Sequence, residues 1–234
     1  MILKDVKISK YKSYSAEHIV NINEKITTLV GKNESGKTAF LEAIAKSNYF
    51  QDDPNFKLDT TIDFPRKELA KYKKKSTKEY CVICTYKIST EVLEIINSDL
   101  GLNVFNIEEF QYQLNYDTDN TIIGVTADEA MYLSNLYETF EVADNEKEEL
   151  SDIKTISELM EYTCTNSLET EPYKFPEIQN HIKTKIFSNY IESWDDPLRS
   201  HIYKKYLQPN IPKFWYYDEY YKLPSRININ NLSS

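Results

Sequence analysis

Short apolar runs dominate the first thirty residues. Ile2, Val6 and Ile8 share even positions, with Leu3 breaking the alternation, and residues 19–22 and 26–30 are again rich in Ile, Val and Thr. Three strands are therefore expected before residue 31. Beyond residue 38, Phe40, Leu41, Ile44 and Ala45 recur at helical spacing to about Ser47. Residues 51–78 are polar, hold Pro54 and Pro65 and end in lysines, the pattern of a loop with one short helix. A strand is expected over 80–88, a helix over 90–100, and a strand pair over 108–116 and 121–125. From Ala127 to about Tyr206 the pattern is mainly helical, broken by an acidic segment at 144–149 and by Pro172, Pro176 and Pro197. Phe214, Trp215, Tyr216 and Tyr217 suggest one more strand, and the residues from Asn228 onward are polar. The expected division is an α/β lobe over 1–125, a largely helical insertion over 126–206, and a returning strand with the start of a linker over 207–234. No internal repeat occurs.

Composition narrows this picture. The 234 residues hold 37 acidic against 28 basic side chains, a net charge of −9, which excludes a whole-molecule positive field but not a local basic patch. Hydrophobic residues make up 41%, enough for a real core. Cys81, Cys84 and Cys164 are too few for a disulfide framework. The start, Met1-Ile2-Leu3-Lys4-Asp5, has no secretory pattern, and no stretch approaches the roughly 18 apolar residues of a membrane helix. The expectation is a reduced, soluble, cytoplasmic protein with no membrane partner.

Glycine is scarce, at four residues, yet two of them stand five apart. Gly31-Lys32-Asn33-Glu34-Ser35-Gly36-Lys37-Thr38 matches G-x-x-x-x-G-K-[ST] in full. Glycines at 31 and 36 let successive N–H groups turn inward toward phosphate oxygens. A helix starting near Lys37 adds the partial positive charge of its N-terminus. Lys37 supplies a full charge for the β- and γ-phosphates, stabilising charge during transfer, and Thr38 offers a hydroxyl to Mg²⁺. With an expected strand before and an amphipathic helix after, the reading is ATP binding with Mg²⁺.

Residues 2–8, the following Tyr11-Lys12-Ser13-Tyr14, and 26–38 together resemble the N-terminus of the RecF/SMC/OLD group of ABC-type ATPases, often described as AAA family ATPases. Asn33 stands where the group usually has Asn, and Glu34 replaces the glycine of the commonest loop, as in OLD-like branches. The resemblance implies a P-loop NTPase head with a mixed sheet around the phosphate-loop helix, and places Lys12 and Ser13 near the nucleotide. It implies ATP sandwiched between two heads, commonly of a homodimer, and a DNA-related machine for repair or anti-phage defence with DNA or an effector nuclease as partner. The facing signature motif, of L-S-G-G-Q type, is absent and has no glycines left to build it. The simplest account puts that motif and the true Walker B strand beyond Ser234.

A Walker B lookalike does occur, four apolar residues from Phe214 followed by Asp218 and Glu219. Asp218 would enter the Mg²⁺ shell and Glu219 would activate water. The bulky aromatics of that run and the following Lys222-Leu223-Pro224-Ser225-Arg226 argue against it. Used catalytically, this pair would make the chain a self-contained small NTPase or kinase; a degenerate binding module is the third reading, opposed by the intact Lys37-Thr38. Cys81 and Cys84, three apart in a strand, face opposite ways and suit core packing better than metal. Asp63, near Pro65 and Arg66, stands where the group senses Mg²⁺, though no Gln is there. Arg66, Lys67, Lys71, Lys73, Lys74, Lys75 and Lys78 form the one basic cluster, read as a solvated loop or a nucleic-acid backbone contact. The three histidines have no telling neighbours in sequence.

Overall fold

A computed structural model describes residues 1–74, 78–163, 173–191 and 194–217. Its centre is a five-stranded sheet in the order β2-β1-β3-β4-β5, antiparallel throughout. The strands are β1 (Ile2–Ile8), β2 (His18–Asn21), β3 (Tyr80–Lys87), β4 (Glu109–Asn115) and β5 (Thr121–Ile123). β3 is central, and its near-continuous run of Cys, Val, Ile and Tyr is buried from Cys81 to Tyr86. Val6 pairs with Cys84 and Ile8 with Val82, so an apolar face forms across β1 and β3. The opposite face carries a polar row in which Thr85 Oγ1 donates to Asp5 at 2.9 Å and accepts from Gln111 at 3.3 Å. One packed and one polar face is the usual economy of an antiparallel sheet.

Helix α1 (Lys37–Ser47) lies on the apolar face and buries Ala39, Phe40, Ala43 and Ile44. Its last residue, Ser47, meets Cys84 of β3 at 3.6 Å. Between α1 and β3 the chain forms a 3₁₀ turn, the single turn α2 (Thr60–Asp63) and the nine-residue α3 (Arg66–Lys74). Residues 66–74 of the basic run are thus helical, in a region expected to be loop with one short helix. Pro65 precedes the first turn without interrupting any bond, and Leu69 and Tyr72 recur at helical spacing to pack on the core.

α4 (Thr90–Leu100), α5 (Glu129–Thr139), α6 (Asp144–Glu149), α7 (Ile156–Glu161), α8 (Phe175–Lys185) and α9 (Pro197–Ile202) follow, the last running into a π-helical turn at Tyr203–Leu207. Local signals set the starts. Asp128 caps α5, Asp196 caps α9, and Thr155 with Glu158 forms a capping box on α7. Buried Glu146 of α6 accepts from the N–H groups of Lys174 and Phe175, fixing the start of α8. Arg199 of α9 donates to the Ile122 carbonyl at 2.7 Å and ties the helices to β5. Asp99, at the end of α4, gathers Lys185, Lys205 and Tyr206, and these partners together hold its carboxyl well below the usual carboxylate range against its partial burial.

Two expected strands do not form. Residues 26–30 have no ladder partner; Asn23 folds the chain before them by accepting from the N–H groups of Lys25 and Ile26. A parallel neighbour requires a crossover connection, and none reaches this stretch, so the expected mixed sheet is antiparallel among the described residues. Phe214 makes one parallel bridge, to Tyr49, and residues 215–217 belong to no strand, Trp215 stacking on Phe50 at 5.1 Å. Trp215 and Tyr217 are exposed, which is incompatible with a buried Walker B strand over the described part of that segment. Asp218, Glu219, Lys75 and Cys164 lie outside the described residues. Cys81 and Cys84 are buried free thiols, and burial raises both pKa values.

Candidate nucleotide site

The phosphate loop sits at the exposed end of α1. Gly36 is the residue before the helix, at φ +94°, and no side chain caps the first turn. The helix therefore presents its unpaired N–H groups to solvent, as an anion site requires. Gly36 is fixed by packing as well as by φ: a Cβ there would lie 3.0 Å from Ser13 Oγ and from the Tyr14 ring. A Cβ on Gly31 would meet Ser35 Oγ at 2.7 Å. Glu34 holds φ +63°, so even this non-glycine position adopts the left-handed turn.

The Lys37 ammonium folds back over the loop, donating to the carbonyls of Gly31 and Lys32, both at 2.8 Å, and approaching Ser35 Oγ at 3.4 Å. Asn33, Glu34, Ser35 and Thr38 are exposed, which leaves the Thr38 hydroxyl accessible one residue into the helix. An accessible hydroxyl beside an uncapped helix start and a lysine ammonium over the loop fits a magnesium–phosphate group, with Thr38 as the protein residue that could hold the metal.

The turn between β1 and β2 closes one side of the loop. Tyr14 donates its hydroxyl to the Gly36 carbonyl at 3.2 Å, and its ring supports the backbone turn; burial raises its pKa. Lys12 adopts φ +48°, pairs with Glu42 of α1, and donates its N–H to the Asp63 carbonyl at 2.6 Å. Ser13 stands beside Gly36 of the loop while Lys12 reaches the middle of α1, and both line an open cavity of about 580 Å³ with Ser15, Phe64, Pro65 and Arg66. That volume lies in the range of small-ligand sites.

A second cavity, about 350 Å³, runs along the other side of Lys12 between α1 and α2 toward Phe56 and Tyr216. Its floor is the ion pair of Lys46 with Asp63 at 3.0 Å, the carboxylate being 1% exposed. Asp63 also accepts the Asp59 N–H at 2.8 Å, and Lys46 donates to the carbonyls of Asn55 and Lys57. Asp63 is consequently a tie between α1 and α2, its carboxylate buried and engaged by Lys46 and the Asp59 N–H, where its position had suggested an Mg²⁺ sensor. Buried Tyr11 next to it has a pKa raised by burial and, secondarily, by Asp63 and Glu42.

Sequence reasoning missed Tyr14, Glu42 and Lys46. Tyr14 follows Ser13 directly, so the signal was present in the motif. Glu42 and Lys46 face the turn only because α1 presents positions four apart on one side, which needs the helix orientation to read. Among the described residues no cluster of three His, Cys, Asp or Glu side chains is placed to hold a metal.

A model of the AAA ATPase domain matches residues 1–229. The chain belongs to that family. No curated protein matches it. Membership makes the chain an AAA-type P-loop ATPase domain, with ATP as the nucleotide and Mg²⁺ as its usual companion. No helix among the described residues of this AAA ATPase domain is long and apolar enough to cross a membrane.

Proposed function

We propose that this AAA ATPase domain is the ATP-binding part of a RecF/SMC/OLD-like head, working as half of a composite site. The observation that carries the reading is a glycine turn at the uncapped start of α1 whose approach, residues 26–30, has no sheet partner among the described residues. Ile26 is 79% and Val30 86% exposed, a cost that strands supplied by the rest of such a head would remove.

In this mechanism Lys37 leaves the Gly31 and Lys32 carbonyls and turns to the β- and γ-phosphates. Backbone N–H groups of the loop and the first turn of α1 receive the phosphate oxygens. Thr38 would hold Mg²⁺, which supplies charge neutralisation between the phosphates. Lys12 and Ser13 border the cavity where the nucleoside would extend from the loop. A second head, in a homodimer, would complete the γ-phosphate side, so that closure on ATP and reopening on hydrolysis move a DNA-bound or nuclease effector.

Binding and hydrolysis of Mg-ATP, measured over a range of protein concentrations beside Lys37→Ala, test this. The expected result is binding that the variant loses by at least a hundredfold, with negligible turnover by this chain alone. Turnover that needs Asp218 or Glu219 would establish a self-contained NTPase instead.

A further inference from the structure

We propose that the solvent face of α3 is a docking surface for the phosphodiester backbone of nucleic acid. Arg66, Lys67, Lys71, Lys73 and Lys74 are all exposed. At 100° per residue they occupy one side of the helix, with only Ala70 among them. The other side is anchored. Leu69 packs on the core, Tyr72 stacks on Phe64 at 4.4 Å and donates to Asp117 at 3.0 Å, and Glu68 pairs with Lys10 at 2.7 Å.

The single acid on the helix is therefore already neutralised by a residue outside it. Among the described residues no ion pair engages the five cations. In a chain of net charge −9 this is a local field of opposite sign, held on a rigid element about 12 Å long. The surface then continues into the cavity of about 580 Å³, whose wall contains Arg66, Lys67, Lys12, Ser13 and Ser15.

Its composition separates a nucleic acid from an acidic protein. Protein interfaces place aromatic and Arg anchors at a desolvated centre and exclude Lys. Here four of five cations are Lys, the helix face itself carries only Ala70 among them, and each ammonium is a separate solvated point charge, with exposed Ile62 in the wall of the adjoining cavity. Such a row suits diffuse, sequence-independent contact with successive phosphates.

Arg66 and Lys67 line the cavity given above to the nucleoside, whereas Lys71 and Lys74 border neither it nor the phosphate loop, so the test substitutes those two alone. The test measures binding of a fluorescent 30-base-pair duplex, and of one of its strands, to the full chain across a series of salt concentrations. The logarithm of affinity should fall with log salt at a slope of about −4, near 0.9 per phosphate contacted.

The pair Lys71→Glu with Lys74→Glu should weaken binding at least tenfold. The milder pair Lys71→Ala with Lys74→Ala should flatten the slope by about two. Lys183→Glu with Lys204→Glu makes the same change in net charge on exposed positions elsewhere and should alter affinity less than twofold. Lys37→Ala should bind nucleic acid normally even where ATP binding is lost, so the two readings fail separately. The proposal is overturned if neither probe binds at low salt, if the distant pair weakens binding as much, or if only a polyglutamate probe is held.

Discussion

β1 and the approach to the phosphate loop are two β-branched segments of one short stretch of chain, and they end in opposite environments. Val6 and Ile8 are fully buried between β2 and β3, whereas Ile26 and Val30 stand 79% and 86% exposed. Residue type does not separate them; neighbours do. β-propensity reflects fit to a pleated, half-buried surface and has little force where no surface is offered. α1 spans the two environments. From Ala39 onward it is packed on the sheet, while Thr38 and the loop before it face solvent. The AAA ATPase domain thus carries its phosphate loop on a firmly anchored helix with an open side, an arrangement suited to completion by other parts of a head.

The strongest test of that anchoring is the ion pair under α1. Asp63→Ala leaves the Lys46 ammonium against carbonyls alone, and breaking a buried pair costs about 3–5 kcal/mol. Urea denaturation should show a loss of that order. The double variant Asp63→Leu with Lys46→Met should recover most of it, since the desolvated charge goes with its partner. A loss below about 1 kcal/mol in the single variant would mean α1 is held by its apolar face only.

Next in size is a direct contrast between the two segments. Ile8→Ala removes a side chain with no solvent exposure and should cost about 2–5 kcal/mol. Val30→Ala should change stability by no more than about 0.5 kcal/mol, the scale of surface substitutions. Equal losses would show that residues 26–30 are packed in solution, and the contrast would collapse.

The same contrast explains what the sequence made readable. Ladder strands and periodic helices followed from local pattern: β3 from its apolar run, β4 and β5 as a strand pair, α4 from its periodicity. The glycine turn before α1 was legible as well, because Gly36 takes a left-handed φ of +94° there. Residues 26–30 misled because strand formation depends on a partner that local pattern cannot report. The basic run misled in the other direction: lysines dominate its composition, while two residues, Leu69 and Tyr72, decide its helix by packing. Lys46 with Asp63 was unreadable, since the pair joins α1 to a turn 17 residues away through a tertiary contact.

The smallest effect belongs to Glu34, and it sharpens the contrast because it should stabilise. Its φ of +63° is left-handed backbone, which costs an L residue about 1–2 kcal/mol that glycine avoids, offset in part by the greater freedom glycine loses on folding. The side chain is exposed and takes part in no packing that its removal would forfeit. Glu34→Gly should therefore gain up to about 1 kcal/mol in urea unfolding. It also removes a carboxylate from a loop that receives phosphates, so ATP affinity should rise several-fold at low salt and by less as salt screens the repulsion. A variant more stable but weaker in ATP binding would show the carboxylate acting on the bound nucleotide itself. A variant less stable would mean that the left-handed turn is held by contacts of the Glu34 side chain, and that this part of the open side is packed after all.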